Sequence, residues 1–176
     1  MQGYLNPEEL SNWKSVKLVW ARKYDDRHSA YVAEQIAGLL GLPLLGSGSA
    51  RAVLLLRRGL VLKVALGSMG LWQMNREAMF WDMFPESVRS YFVPCLASGE
   101  GWAIYPRVKP YTQKSSNAVR DRIRDTLCYL ITMGVQPFDI DPDEESYALT
   151  NWGTYQGRMV ILDYAFQWKG DAKKAA

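Results

Sequence analysis

The sequence is 176 residues long, 48% hydrophobic and 22% charged, which places it among globular proteins of one domain or two small lobes and excludes a disordered chain. Its formal net charge of +3 is mild, and its two cysteines, Cys95 and Cys128, are too few and too far apart for a zinc site. No signal peptide opens the chain and no apolar run reaches membrane-spanning length, so a cytoplasmic protein without a membrane partner is expected, with both thiols buried and reduced.

In chain order, "NPEEL" is a helix start: Asn6 can cap, Pro7 suits the first helical position, and Glu8 and Glu9 suit the positive end of the helix dipole. "HSAYVAEQIAGLLG" predicts a second helix with Tyr31, Ile36, Leu39 and Leu40 on one face and Gly41 ending it. "GSGSARAVLLLRRGLVLKVAL" predicts a Gly/Ser loop, a strand, a tight Arg-Gly turn and a second strand. "LWQMNREAMFWDMF" returns to helical spacing, with Met74, Ala78, Trp81 and Met83 or Phe84 toward a core. Two short strands joined at Ser98-Gly99-Glu100-Gly101 follow. A long amphipathic helix then buries Val119, Ile123, Leu127, Leu130 and Ile131 and stops at Gly134. After an acidic loop, "DIDPDEES", two short strands turn at Tyr155-Gln156-Gly157, and a polar tail frays. There is no internal repeat. The order predicts an α+β fold with a small antiparallel sheet lobe packed on a short helical lobe.

Several motifs are excluded by their details. "GSGSAR" lacks the Lys-Ser/Thr of a P-loop and does not open a helix as a dinucleotide fingerprint does. The acidic loop has Glu144 and Thr150 where a calcium loop needs Gly and Glu. His28, the single histidine, reads as a helix-start residue with no hydrolase triad around it. The basic runs at Arg51, Arg57, Arg58 and Lys63 and at Arg120, Arg122 and Arg124 could meet phosphates, but read first as solvated faces, so nucleic acid is not the expected partner.

The order of the remaining motifs carries more. A Gly-rich loop leads into a hairpin whose second strand holds Lys63; the next helix holds Glu77 in "NREAMF"; "WAIYPRV" follows, and after the long helix come Asn151 in "NWG" and Asp163 in "VILDYA". From residue 44 to 166 this arrangement resembles the protein-kinase fold, with "LLGSGSARAVLLLRRGLVLKVA" similar to its Gly-rich loop and lysine strand. "NWG" followed by "VILDY" is also similar to small kinase-like proteins encoded by bacteriophages. The resemblance implies one kinase-like domain over 1–176: a helical extension at 1–43, a sheet lobe at 44–107, a short C-terminal lobe at 108–168 and a tail at 169–176.

The resemblance also implies roles. Gly46, Ser47 and Gly48 would cover ATP phosphates, Lys63 would hold a cation over them, and Glu77 would pair with that lysine. Asn151 and Asp163 would supply the hard oxygen ligands that Mg²⁺ prefers, held at one end of a short sheet by the hairpin between them. Each residue taken singly has a plainer reading: Lys63 can snorkel to solvent, Glu77 can lie on a helix surface, Asn-Trp-Gly can be a turn and Asp163 a cap.

The chain departs from the family at the catalytic loop. No His-Arg-Asp motif precedes Asn151; Asp141 or Asp139 would have to serve as base, across a longer gap filled by "PDEESYAL". Ala165 replaces the glycine of the metal triplet, and little sequence follows Asp163 to form a peptide-substrate platform. A catalytically impaired kinase-like phage protein that binds and modulates a host protein is therefore expected, with or without Mg-ATP. An active minimal kinase and a nucleic-acid-binding protein are the alternatives.

Overall fold

The computed structural model describes residues 3–8, 11–13, 16, 29–112, 114–135, 140–141 and 146–164. The Glu9 end of the first helix start, His28, Asp139, most of the acidic loop, Ala165 and the tail lie outside them. The chain is mixed α+β and divides into two compact units, Met1–Met79 with Pro94–Arg107, and Phe80–Val93 with Val108–Ala176. Among the described residues no helix is long and apolar enough to cross a membrane.

The first unit is built on an antiparallel five-stranded sheet of order β1-β2-β3-β5-β4: β1 (Leu44–Ser47), β2 (Arg51–Leu56), β3 (Leu60–Ala65), β4 (Ala97–Gly99) and β5 (Trp102–Pro106). The Arg57–Gly59 turn sets the central register, placing Leu56 opposite Leu60 and Val53 opposite Lys63. Successive side chains alternate between sheet faces. Ala52, Leu54, Leu56, Leu62, Val64 and Ile104 therefore share a core with helix α1 (Ser29–Leu40), through Val32, Ile36, Ala37 and Leu40. Ala33 and Ala37 keep the contact face of α1 narrow, whereas Tyr31 and Leu39, expected on that face, are exposed. Leu5, Trp13 and Val16, ahead of α1, belong to the same core. The expected Gly/Ser loop is also shorter than its sequence suggests, because backbone pairing with β2 draws Gly46 and Ser47 into β1.

Helix α2 (Ser68–Met83) follows β3. Within the first unit it buries Gln73, Met74 and Glu77, while Ala78 is half-buried and Met79 exposed. Of the face expected at Met74, Ala78, Trp81 and Met83 or Phe84, Met74 and Phe84 are buried, Ala78 and Trp81 are half-buried and Met83 is exposed; Glu77, 0% exposed, takes a core position as well.

The second unit holds the end of α2, the short helix α3 (Glu86–Arg89), helix α4 (Asn117–Thr132), a 3₁₀ segment (Ser146–Asn151) and a hairpin of β6 (Trp152–Tyr155) and β7 (Arg158–Ile161). Residues 80–93 fall here, not in the sheet lobe, because Phe84 stacks on Phe92 at 4.7 Å and Tyr164 meets Phe92 edge-on at 5.1 Å. Helix α4 buries Ile123, Leu127 and Leu130; Val119 is half-buried, and Ile131, one residue round from Leu130, is exposed. The hairpin turns at Gln156 and Gly157, both with positive φ, as a two-residue type I′ loop requires. Backbone bonds flank it on both sides, from the Tyr111 amide to the Trp152 carbonyl and from the Ile161 amide to the Tyr91 carbonyl.

Asn-Trp-Gly is not a turn. Gly153 lies inside β6 and pairs with Pro110, so close that an added Cβ would stand 2.5 Å from Val108 Cγ1 and 2.8 Å from the Lys109 carbonyl oxygen. Gly153→Ala should therefore destabilise the protein by about 1–3 kcal/mol, as overpacking does. Gly48→Ala, with nothing within 4 Å of the new methyl, should leave the thermal midpoint nearly unchanged. Paired thermal melts check the contrast.

Candidate functional site

In the first unit Arg51, Lys63 and Tyr105 occupy three adjacent strands. Lys63 faces Val53 on β2 and Ala103 on β5, so Arg51 and Tyr105, each two residues from those partners, are its diagonal neighbours on the same sheet face. That face is opposite the α1 core, and Glu77 of α2 meets all three side chains there. Lys63 Nζ donates to Glu77 Oε2 at 3.2 Å and Oε1 at 3.3 Å. Arg51 donates to Oε1 at 2.5 Å, and the Tyr105 hydroxyl donates to Oε2 at 2.6 Å. The Lys63 ammonium also lies 4.6 Å from the Tyr105 ring centroid. Lys63 is 9% exposed, so it neither snorkels out nor stands alone. Removing the carboxylate that these donors share leaves them without their buried acceptor and costs about 3–5 kcal/mol.

The Gly/Ser segment begins at the same edge. Gly46, Ser47 and Gly48 are exposed, and the Gly48 amide closes the bend onto the Arg51 carbonyl at 2.9 Å. The base of the bend is fixed: the Ala50 carbonyl accepts from the Leu66 amide at 2.8 Å, and Gly70 of α2 sits so near that carbonyl that any Cβ would overlap it. An exposed, glycine-containing tip on an anchored base leaves its backbone open to the approach of phosphate groups.

The second unit holds the other expected residues. The Leu162 amide bonds the Asn151 carbonyl at 2.7 Å, one step beyond the last hairpin pair, Trp152 with Ile161. The β6–β7 pairing thus brings Asn151 and Asp163 to one end of the hairpin, both half-buried. An amide oxygen and a carboxylate there suit Mg²⁺, which takes one or two protein oxygens and fills its other positions with water and phosphate. Among the described residues no group of three or more His, Cys, Asp or Glu side chains gathers to hold a metal by itself. The indole of Trp152, 0% exposed, donates to the Ile140 carbonyl at 2.7 Å. This bond pins the chain just before Asp141 to the residue just after Asn151. Asp139 lies outside the described residues.

A scan against protein-family models finds no match for this chain, and a search of curated proteins finds no significant match.

Sequence reasoning missed Arg51 and Tyr105 as members of the cluster. The signal was present in the strand register: once the Arg57–Gly59 turn fixes Val53 opposite Lys63, period-two alternation puts Arg51 on the lysine's face. The same inward turn breaks up the supposed basic patch, since Arg51 and Lys63 face Glu77 while Arg57 and Arg58 are exposed. In the second basic run Arg124 pairs with Asp121 at 3.0 Å.

The cysteines differ from expectation. Cys128 is exposed on α4, and Cys95 is half-buried. Burial pushes the Cys95 thiol above its ordinary value; hydrogen bonding by Tyr105 opposes this, the Glu77 charge adds to it, and Lys63 and Ser98 oppose it. A neutral, shielded thiol reacts slowly. Labelling at pH 8 with a disulfide reagent should thus show a fast phase and a slow phase, and Cys128→Ser should abolish only the fast one. A single fast phase remaining in that variant would contradict the placement of Cys95.

Proposed function

We propose that this chain is a kinase-like protein that binds a magnesium–nucleoside triphosphate but is impaired in phosphotransfer, and that it acts by binding a host protein. The observation that carries the reading is the buried Lys63–Glu77 pair, formed between a sheet strand and the following helix at 3.2 Å. In the proposed complex Lys63 and the exposed Gly46-Ser47-Gly48 segment hold the phosphates. Within the second unit, taken by itself, Asn151 and Asp163 supply the oxygens proposed for Mg²⁺.

The impairment follows from the residues ahead of Asn151. Ser146 to Thr150 contain no acid, histidine or arginine, so no base stands at the short spacing that a kinase catalytic loop uses. One observation favours the second reading, an active phosphotransferase: the Trp152–Ile140 bond anchors Asp141 beside the hairpin entrance despite the longer gap. In that reading Asp141 takes the substrate hydroxyl proton.

A thermal melt with saturating Mg-ATP tests nucleotide binding. Ligand at about a hundred times its dissociation constant adds about 2.7 kcal/mol, which raises the midpoint by roughly 5–11 °C for a chain of this size. The rise should disappear in Lys63→Met and in Asp163→Ala. No rise in the unaltered protein would sink the nucleotide reading. Transfer of labelled γ-phosphate above background, lost in Asp141→Asn, would replace the impaired reading with the active one.

A further inference from the structure

The two oxygens of Glu77 are not shared equally among their donors. Oε1 accepts Arg51 at 2.5 Å and Oε2 accepts Tyr105 at 2.6 Å, whereas Lys63 reaches both oxygens only at 3.2 and 3.3 Å. Charge-assisted bonds weaken as they lengthen, and a forked contact beyond 3 Å is the weakest of the set. Each oxygen therefore has one short bond that does not involve the lysine. The three donors also differ in freedom. Arg51 presents a planar guanidinium fork, which is pre-organised and loses little freedom per hydrogen bond. Tyr105 is 1% exposed and held in β5. The ammonium of Lys63 is a compact charge on a flexible stem, and the Tyr105 ring gives it a resting place that does not depend on the carboxylate.

We propose that Arg51 and Tyr105, rather than Lys63, hold the buried carboxylate of Glu77, so that Lys63 is the replaceable cation of the cluster and the one that turns to an incoming phosphate. Glu77 can give up the lysine without being left unpaired in the interior, the circumstance that makes breaking a buried pair costly. Arg51 and Tyr105 are positioning residues here. They act on the ligand through Lys63, by occupying the oxygens that would otherwise retain it. The last clause of the proposal rests on the nucleotide reading; the division of labour around Glu77 does not.

The test has two arms. Without nucleotide, Lys63→Met should lower the thermal midpoint by no more than about 2 °C, while Arg51→Met and Tyr105→Phe should each lower it by about 4 °C or more. A Lys63→Met loss equal to or larger than both others overturns the proposal. Should Arg51→Met fail to fold, Tyr105→Phe, which removes a single oxygen, keeps the comparison. In the second arm, Mg-ATP affinity should fall about tenfold in Tyr105→Phe, a difference equivalent to about 1.4 kcal/mol. It should fall at least as far in Arg51→Met and return in Arg51→Lys. Tyr105→Phe alters no charge, so its loss of affinity reports on how Lys63 is held. Unchanged affinity in both variants, with Mg-ATP binding intact in the unaltered protein, overturns the proposal. Absence of binding in the unaltered protein, with the stability order as stated, overturns the nucleotide reading and supports the assignment of Glu77 to Arg51 and Tyr105.

Discussion

A carboxylate with no exposed surface cannot remain in a protein interior unless donors surround it. Glu77 meets that condition with donors from β2, β3 and β5, and it stands on α2. The consequence is geometric. Arg51, Lys63 and Tyr105 lie diagonally across three strands in the register that the Arg57–Gly59 turn sets, and their common partner Glu77 fixes the rotation of α2 against them. The opposite face of the same sheet is then free to be wholly apolar and to pack on α1. This two-sided demand accounts for β3, whose residues from Val61 to Ala65 are all buried although a lysine is among them.

The second unit obeys a different constraint, close packing around a hairpin. Gly153 admits the 108–110 segment against β6, Trp152 ties the hairpin entrance to Ile140, and Tyr164 joins Phe84 and Phe92 in an aromatic cluster. Asn151 and Asp163 owe their common placement to strand pairing, and Ile140, just before Asp141, is held by the Trp152 indole. Each unit thus positions its own candidate residues by its own local means. The lysine end depends on a buried charge, and the metal end on backbone register.

Local chemistry was legible in the sequence and long-range partnership was not. The Arg-Gly turn, the Gln156-Gly157 hairpin turn and the glycine stop at Gly41 were readable because turn and cap conformations depend on residues within a few positions. The buried face of α2 was legible at Met74 and Phe84 but not at Glu77, because periodicity places a glutamate outside and the donors that keep it inside lie 14, 26 and 28 residues away. Gly153 was open to reading as a turn residue for the same reason, since the atoms that require it belong to Val108 and Lys109. The pairing of Lys63 with Glu77 was expected from the order of motifs. That Arg51 and Tyr105 belong to the same cluster needed the register.

The most direct test of the account is equilibrium unfolding of Glu77→Gln by urea. The substitution keeps the side-chain shape but removes the negative charge and turns an amide donor toward a set of donors. If Glu77 is the constraint on which the first unit is built, the variant loses about 3–5 kcal/mol of stability. A loss within about 0.5 kcal/mol, the range of ordinary surface substitutions, would contradict it.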